Sequence, residues 1–266
     1  MHGTFSKSVS TPKRLGERLR FAGLLLLGVA IYALCLKTAQ VDFGRLWTGL
    51  PRLANWTARS WPPDLSELGT LLLRTAETVA MGTVGTTFGA ILAVPLCLLA
   101  AHNIRLPAWA YYPARFLLNI LRGIDSFIFA LIFVAAVGLG PFAGVLGLAL
   151  HSAGSIAKLW AEAIETTEQG PIDAVTMSGG GQLKIIRHAL LPDVLPGLSS
   201  TILYMWEFSV RASTILGVVG AGGIGQELKN SVDLLQFDRV LTILIIVLAM
   251  VSAIDAISAW LRRRLV

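Results

Sequence analysis

Three pairs of opposite charge are spaced so that they can meet on one helix face: Arg74 with Glu77, Arg122 with Asp125, and Glu207 with Arg211. Each pair lies within or beside a strongly apolar stretch, where a charge is expensive and ordinarily faces a partner or a cavity. Two roles are open to them. Mutual neutralisation would make the pairs structural. Projection of Arg122 and Arg211 into a pore would instead lower the barrier for an anion, because the planar guanidinium fork matches phosphate-type oxygens. Asp125 and Glu207 would then keep the site weak enough to release its cargo. The Glu207–Arg211 pair stands near the middle of its apolar stretch and is favoured over the other two.

Gly220, Gly222, Gly223 and Gly225 satisfy G-x-G-x-x-G literally. A dinucleotide site needs that motif between a strand and a helix, with an acidic residue about 20 positions on. Here an apolar stretch precedes it and no strand–helix alternation surrounds it. The glycines suit close backbone approach and unusual turns, either in an external re-entrant segment near a translocation path or in a plain structural loop. His151 and His188 stand apart without further ligands and read as packing or interfacial residues. Cys35 and Cys97 form neither a disulfide framework nor a metal cluster. No carboxylate pair or nucleophile–base set suggests catalysis, no metal site or cofactor is expected, and no G-x-x-x-x-G-K loop is present to bind ATP.

The elements that carry these residues are membrane helices. Hydrophobic residues make up 55% of the 266, and charged residues only 14%, against about a quarter in soluble domains. So much apolar surface requires lipid as its solvent. A crossing needs roughly 20 apolar residues, and six stretches qualify: 21–36, 77–101, 126–138, 142–159, 197–219 and 240–261. The third reaches full length only with part of 116–125. The first follows Lys13, Arg14, Arg18 and Arg20 but lacks a clean small-residue cleavage site, and reads as a retained signal-anchor. The fold class is therefore all-α, a polytopic membrane protein of about six transmembrane helices.

The net charge of +6 is not a nucleic-acid footprint. Basic residues gather in the amino-terminal tail and at Arg262, Arg263 and Arg264, against apolar stretches. By the positive-inside rule both termini are cytoplasmic, as are the loops with His102, Arg105 and Arg115 and with Lys184, Arg187 and His188. Residues 1–20 form the tail, and 21–67 the first helix and an external segment. Trp47, Trp56 and Trp61 suit that segment to the lipid headgroups. Residues 68–266 form the transmembrane domain. Its longest polar interruption, 160–196, reads as two short helices broken at Gly179, Gly180 and Gly181, with Pro192 and Pro196 ending the second. Such a loop is a candidate docking surface. No internal repeat is evident, which weighs against a secondary transporter built from inverted halves.

This loop resembles the E-A-A-x-x-x-G-x(9)-I-x-L-P segment with which permeases of ABC importers dock their ATPase. Asp173, Ala174 and Val175 are followed at matching spacing by Gly179, Ala189, Leu191 and Pro192. Ala174, Gly179, Leu191 and Pro192 agree outright, while Asp173, Val175 and Ala189 replace Glu, Ala and Ile. Asp173 near a helix start would suit the helix dipole. A narrower resemblance runs from Tyr204 to Leu228 and over residues 119–144, to the permeases of phosphonate, phosphite and hypophosphite importers. There a proline commonly follows the Arg-containing turn, where this chain has Asp125. The resemblance implies the type I importer permease fold in a bacterial inner membrane. It also implies a second copy of the chain, a cytoplasmic ATPase dimer and an external binding protein as partners. The function it implies is ATP-driven import of a small phosphorus oxyanion by alternating access. A secondary transporter that uses the charge pairs for coupling, and an importer permease for another solute, are the alternatives. A membrane enzyme has no catalytic constellation behind it.

Overall fold

The structure is a computed structural model and describes residues 13–102, 107–167 and 169–265. The tail before residue 13 and Arg105, both assigned above to the cytoplasm, lie outside the described residues. The chain divides into two compact units, residues 1–56 and 57–266.

In the first unit, α1 (Lys13–Thr38) carries the apolar stretch Arg20–Thr38, none of which is buried against protein. Asp42 then caps α2 (Phe43–Arg59), its carboxylate accepting from the N–H groups of Gly44 and Arg45 at 2.8 and 3.2 Å. Along α2 the helical period gathers Phe43, Leu46, Trp47, Leu50 and Leu53 on one side, and it aligns Arg45, Arg52 and Arg59 on the other.

The second unit is built on α3 (Leu68–Ala100) and α6 (Pro141–Glu165). One face of α3 is a run of small residues, among them Gly82, Gly85, Gly89 and Ala93, all buried. A methyl group on Gly89 would come within 2.9 Å of the Ala149 carbonyl oxygen, so only glycine admits α6 this closely. Close approach of this kind is how membrane helices associate without a hydrophobic driving force. Small residues likewise dominate the buried face of α6. Between them come α4 (Ala108–Gly123) and α5 (Ser126–Val137), which meet at 89°. Ile124 and Asp125 are extended there, and the Asp125 carboxylate caps α5 through the Phe127 N–H at 2.8 Å. The third crossing expected from sequence is thus a bent pair and not one straight helix. The described residues hold five helices long and apolar enough to cross, or six with this pair.

After α7 (Gln169–Met177), the short α8 (Gln182–Ile185) enters a π-helical turn (Ile186–Leu190) and continues as α9 (Leu191–Leu216). Pro192 and Pro196 therefore do not end a helix, contrary to the reading from sequence. The wide turn closes with the Leu191 N–H on the Ile186 carbonyl. Pro192 then falls in the first turn of α9, where a missing N–H costs little, and only Pro196 interrupts the ladder. A kinked segment (Gly217–Ala221), broken at Gly220, leads to α10 (Gly223–Asp233) and the last crossing, α11 (Phe237–Leu265).

Candidate functional site

Tyr204, Phe208, Arg211 and Ile215 recur every three or four residues and so share one face of α9. That face looks onto the α4–α5 bend across two clefts that have Phe208 in common. One, of about 300 Å³, is lined by Asp125, Ser126, Phe127 and Arg211 among others. The other, of about 340 Å³, is lined by Arg122, His151, Ser155, Leu159, Tyr204 and Met205. The bend is what makes this possible: it places the last turn of α4, with Arg122, and the first turn of α5 on the same side of α9. The Ile124 N–H still closes the last turn of α4 on the Ile120 carbonyl, while its own carbonyl, at the bend, lies 3.0 Å from His151 Nδ1.

The three charge pairs fare differently. Arg211 meets Glu207 as its spacing predicts, but Glu207 also holds Arg262 of α11 at 2.9 Å. The Glu207 side chain is 14% exposed and those of Arg211 and Arg262 46% and 37%, so one nearly buried carboxylate serves two cations. Arg122 and Asp125 form no ion pair among the described residues; Asp125 is engaged as the cap of α5, and Arg122 is exposed on the cleft. Arg74 pairs with Glu77 at 2.9 Å and approaches Glu227 at 3.5 Å, while Arg239 joins Glu227 at 2.9 Å and Glu67 at 2.8 Å. That network ties α3, α10 and α11 together. The sequence signals only its local member: Arg74–Glu227 and Arg239–Glu67 join residues more than 100 positions apart, and Arg239–Glu227 bridges two separate helices.

The glycine segment is a tight reversal between helices, with no strand among the described residues. Gly220, Gly222 and Gly223 have φ of 91°, 82° and 72°, values that side-chain-bearing residues rarely adopt. Gly140 N–H donates to the Gly220 carbonyl at 2.9 Å, and the Ile224 N–H to Thr78 Oγ1 at 2.8 Å. Gly222, Gly223 and Gly225 are buried, the last against the Thr214 carbonyl.

In the polar loop, α7 ends with Gly179 at φ 76°, while the Gly179 and Gly180 N–H groups donate to Thr176 and Val175 carbonyls at 3.0 Å each. This is a glycine-terminated helix end of the expected kind. Ile172, Ile185, Ile186 and Leu190 pack into the core formed by α3, α4, α6 and α9. Anchored in this way, the loop presents Asp173, Ala174, Gly179, Leu191 and Pro192 outward, all five exposed. Asp173 is the fifth residue of α7 and lies beyond its first turn, so the helix-dipole role expected for it does not apply. Beside the loop, Arg115 ion-pairs with Glu165 and donates to the Ala100 carbonyl at 3.1 Å, and Glu165 accepts the His102 N–H at 2.8 Å. These contacts tie the middle of α4 to the ends of α3 and α6; Arg115 lies within that helix and not in a loop, and the sequence pattern did not reveal this function.

Comparison with known proteins places the chain among transport proteins. A family described as binding-protein-dependent transport system inner membrane component matches residues 85–266. HtxC of Stutzerimonas stutzeri, assigned to a phosphite transport system as its permease protein, is 52% identical over 90% of this chain and 83% of its own length. The phosphite transport system permease protein PtxC of the same organism is 38% identical over 90% of this chain and 86% of its own. The phosphate-import permease protein PhnE of Mycolicibacterium smegmatis is 44% identical over 78% of this chain and 39% of its own. In structure, a chain of the methionine ABC transporter MetNI in an inward-facing conformation superposes with a TM-score of 0.66. It has 25% identity, covering 76% of this chain and 99% of that one.

Proposed function

Since the chain belongs to the family of binding-protein-dependent transport system inner membrane components, we propose that it is the permease of an ATP-driven importer for a small phosphorus oxyanion. Phosphonate and phosphite are the leading candidates, and transport into the cytoplasm proceeds by alternating access. The protein is a multi-pass component of the inner membrane with both termini on the cytoplasmic side. Two copies form the pathway, and the exposed loop around Gly179 docks a cytoplasmic ATPase dimer that hydrolyses ATP. An external binding protein delivers the solute.

The observation that carries the oxyanion reading is the exposure of Arg122 and Arg211 on one face of the membrane-spanning bundle. Charged groups within membrane-spanning segments rarely face lipid; they face a partner subunit or a water-filled cavity. The named substrates of the phosphite permeases and of the phosphate-import permease agree with guanidinium groups in that place. Arg122, Asp125, Glu207 and Arg211 line the path in this reading, and Gly220, Gly222, Gly223 and Gly225 shape its rim.

The test is uptake into vesicles that contain the permease, its ATPase and its binding protein. Phosphite or alkylphosphonate should enter only with ATP and only with all three components. Accumulation driven by an ion gradient without the ATPase would establish a secondary transporter instead. ATP-driven uptake of an unrelated solute, with none of a phosphorus oxyanion, would establish a different importer.

A further inference from the structure

The cleft of about 340 Å³ on the α4 side of Phe208 holds a set of groups that the arginine pairs alone do not explain. Arg122 brings a guanidinium with no ion-pair partner among the described residues. Ser155 and Tyr204 bring hydroxyls, and His151 brings an imidazole. His151 is fixed on two sides. Its ring lies 5.6 Å from that of Phe208 and tilted by 30°, and its Nδ1 is 3.0 Å from the Ile124 carbonyl oxygen.

That second contact decides the chemistry of the ring. A carbonyl oxygen can only accept, so Nδ1 must carry the hydrogen. In the neutral imidazole Nε2 is then a bare acceptor, and it has no hydrogen-bond partner among the described residues. The cleft thus offers donors that match ionised oxygens, from Arg122 and the hydroxyls, together with one acceptor directed by the backbone at the bend.

We infer that this cleft is a discrete station for a monoprotonated tetrahedral phosphorus oxyanion, with Arg122 on its ionised oxygens and His151 Nε2 accepting the P–OH hydrogen. The inference rests on the oxyanion reading above and adds a selectivity rule to it. An anion with a P–OH group satisfies both the donors and the acceptor. A fully ionised tetrahedral oxyanion such as sulfate, or one with no P–OH such as hypophosphite, leaves Nε2 facing an oxygen lone pair or nothing. A site built to receive a hydrogen disfavours an analogue that lacks it, because the half-buried Nε2 is left unpaired when the anion covers it. Phe208, shared by both clefts, separates this station from the Arg211 cleft, so the pathway of each subunit has two successive anion positions.

The experiment uses the complete transporter in vesicles, with phosphite as the probe and hypophosphite and sulfate as competitors. His151→Gln, Arg122→Lys and Tyr204→Phe are each compared with the unaltered protein, and ATP hydrolysis stimulated by the binding protein is measured as a check on assembly. The expected result is a fall in phosphite uptake of about tenfold or more for His151→Gln, corresponding to the loss of one hydrogen bond to a charged group at about 1.5–3 kcal/mol. Hypophosphite should compete better against the variant than against the original. Tyr204→Phe removes a single oxygen and should lower uptake less, with assembly intact. Should His151→Gln fail to assemble, Arg122→Lys and Tyr204→Phe decide the matter. Unchanged phosphite uptake in both, or unchanged selectivity in an assembled His151→Gln protein, overturns the station. Absence of phosphorus oxyanion uptake by the unaltered transporter overturns the function itself, a distinct outcome.

Discussion

The cluster around Glu207 allows the role of Arg211 to be separated from its company. One carboxylate faces two guanidinium groups, Arg211 on its own helix and Arg262 on α11, so the cluster carries a net charge of one positive. Glu207→Gln raises that to two, and Arg211→Gln lowers it to zero. The double variant returns it to one, now located on Arg262. Net charge is therefore restored while its position is moved. Each ion pair is a charge-assisted hydrogen bond worth about 1.5–3 kcal/mol when shielded, reduced to about 1 kcal/mol where the cation is partly exposed, as both arginines are. Glu207→Gln should thus destabilise by about 2 kcal/mol, and Arg211→Gln by about half as much. If Arg211 only neutralises Glu207, Arg211→Gln still leaves Glu207 paired with Arg262, so both it and the double variant should keep most of their transport. If Arg211 meets the oxyanion, the double variant should stay about 10- to 100-fold below the original protein, the loss expected for one charged hydrogen bond. Arg211→Lys should recover part of that, keeping the charge without the fork. We expect the double variant to remain defective. The assay is uptake in membrane vesicles corrected for permease content, and recovery in the double variant would refute a contact between Arg211 and the anion.

Three further outcomes are expected. Gly179→Asp places a residue that tolerates left-handed backbone at φ 76°, so the protein should insert normally while uptake and stimulated ATP hydrolysis are lost; retained uptake would remove the docking role of this loop. Gly225→Val forces a side chain onto the Thr214 carbonyl, and Gly223→Val adds strain at φ 72° to overlap with Thr78. Both should lower the yield of folded permease in detergent, by an overpacking cost of about 1–3 kcal/mol, without any change in nicotinamide nucleotide binding. Glu165→Gln weakens the lock formed with Arg115 and the His102 N–H and should lower the thermal unfolding temperature, with uptake per folded permease unchanged.

Hydropathy and local spacing made the membrane helices, the Glu207–Arg211 pair and the glycine at the end of α7 legible, because each depends on residues within a turn or two of one another. What escaped depends on partners distant in the chain. The bend at Ile124 and Asp125 looks, in composition, like a dilute apolar stretch. Only the cap that Asp125 gives α5 and the contact of Ile124 with His151 explain why it holds. Proline reads locally as a helix stop, yet at 192 the preceding π-helical turn carries the chain through into α9. Arg262 looked like a topological signal and nothing more, since its bond to Glu207 spans 55 residues. The polar loop around Gly179, by contrast, was readable in outline because its spacing encodes a local helix–turn–helix.

The partners of the arginines sort them into two kinds. Arg74, Arg115 and Arg239 each face at least one carboxylate and sit where helices must be joined, so their charge is offset in place. Arg122 has no ion pair among the described residues, and Arg211 shares its single carboxylate with a third group. An unmatched guanidinium on a membrane-spanning face would be selected against on stability alone. Arg122 and Arg211 flank Phe208 on the same side of α9. We propose that their positive charge is left open for a passing anion; the bend between α4 and α5 brings the first of them, Arg122, to that side.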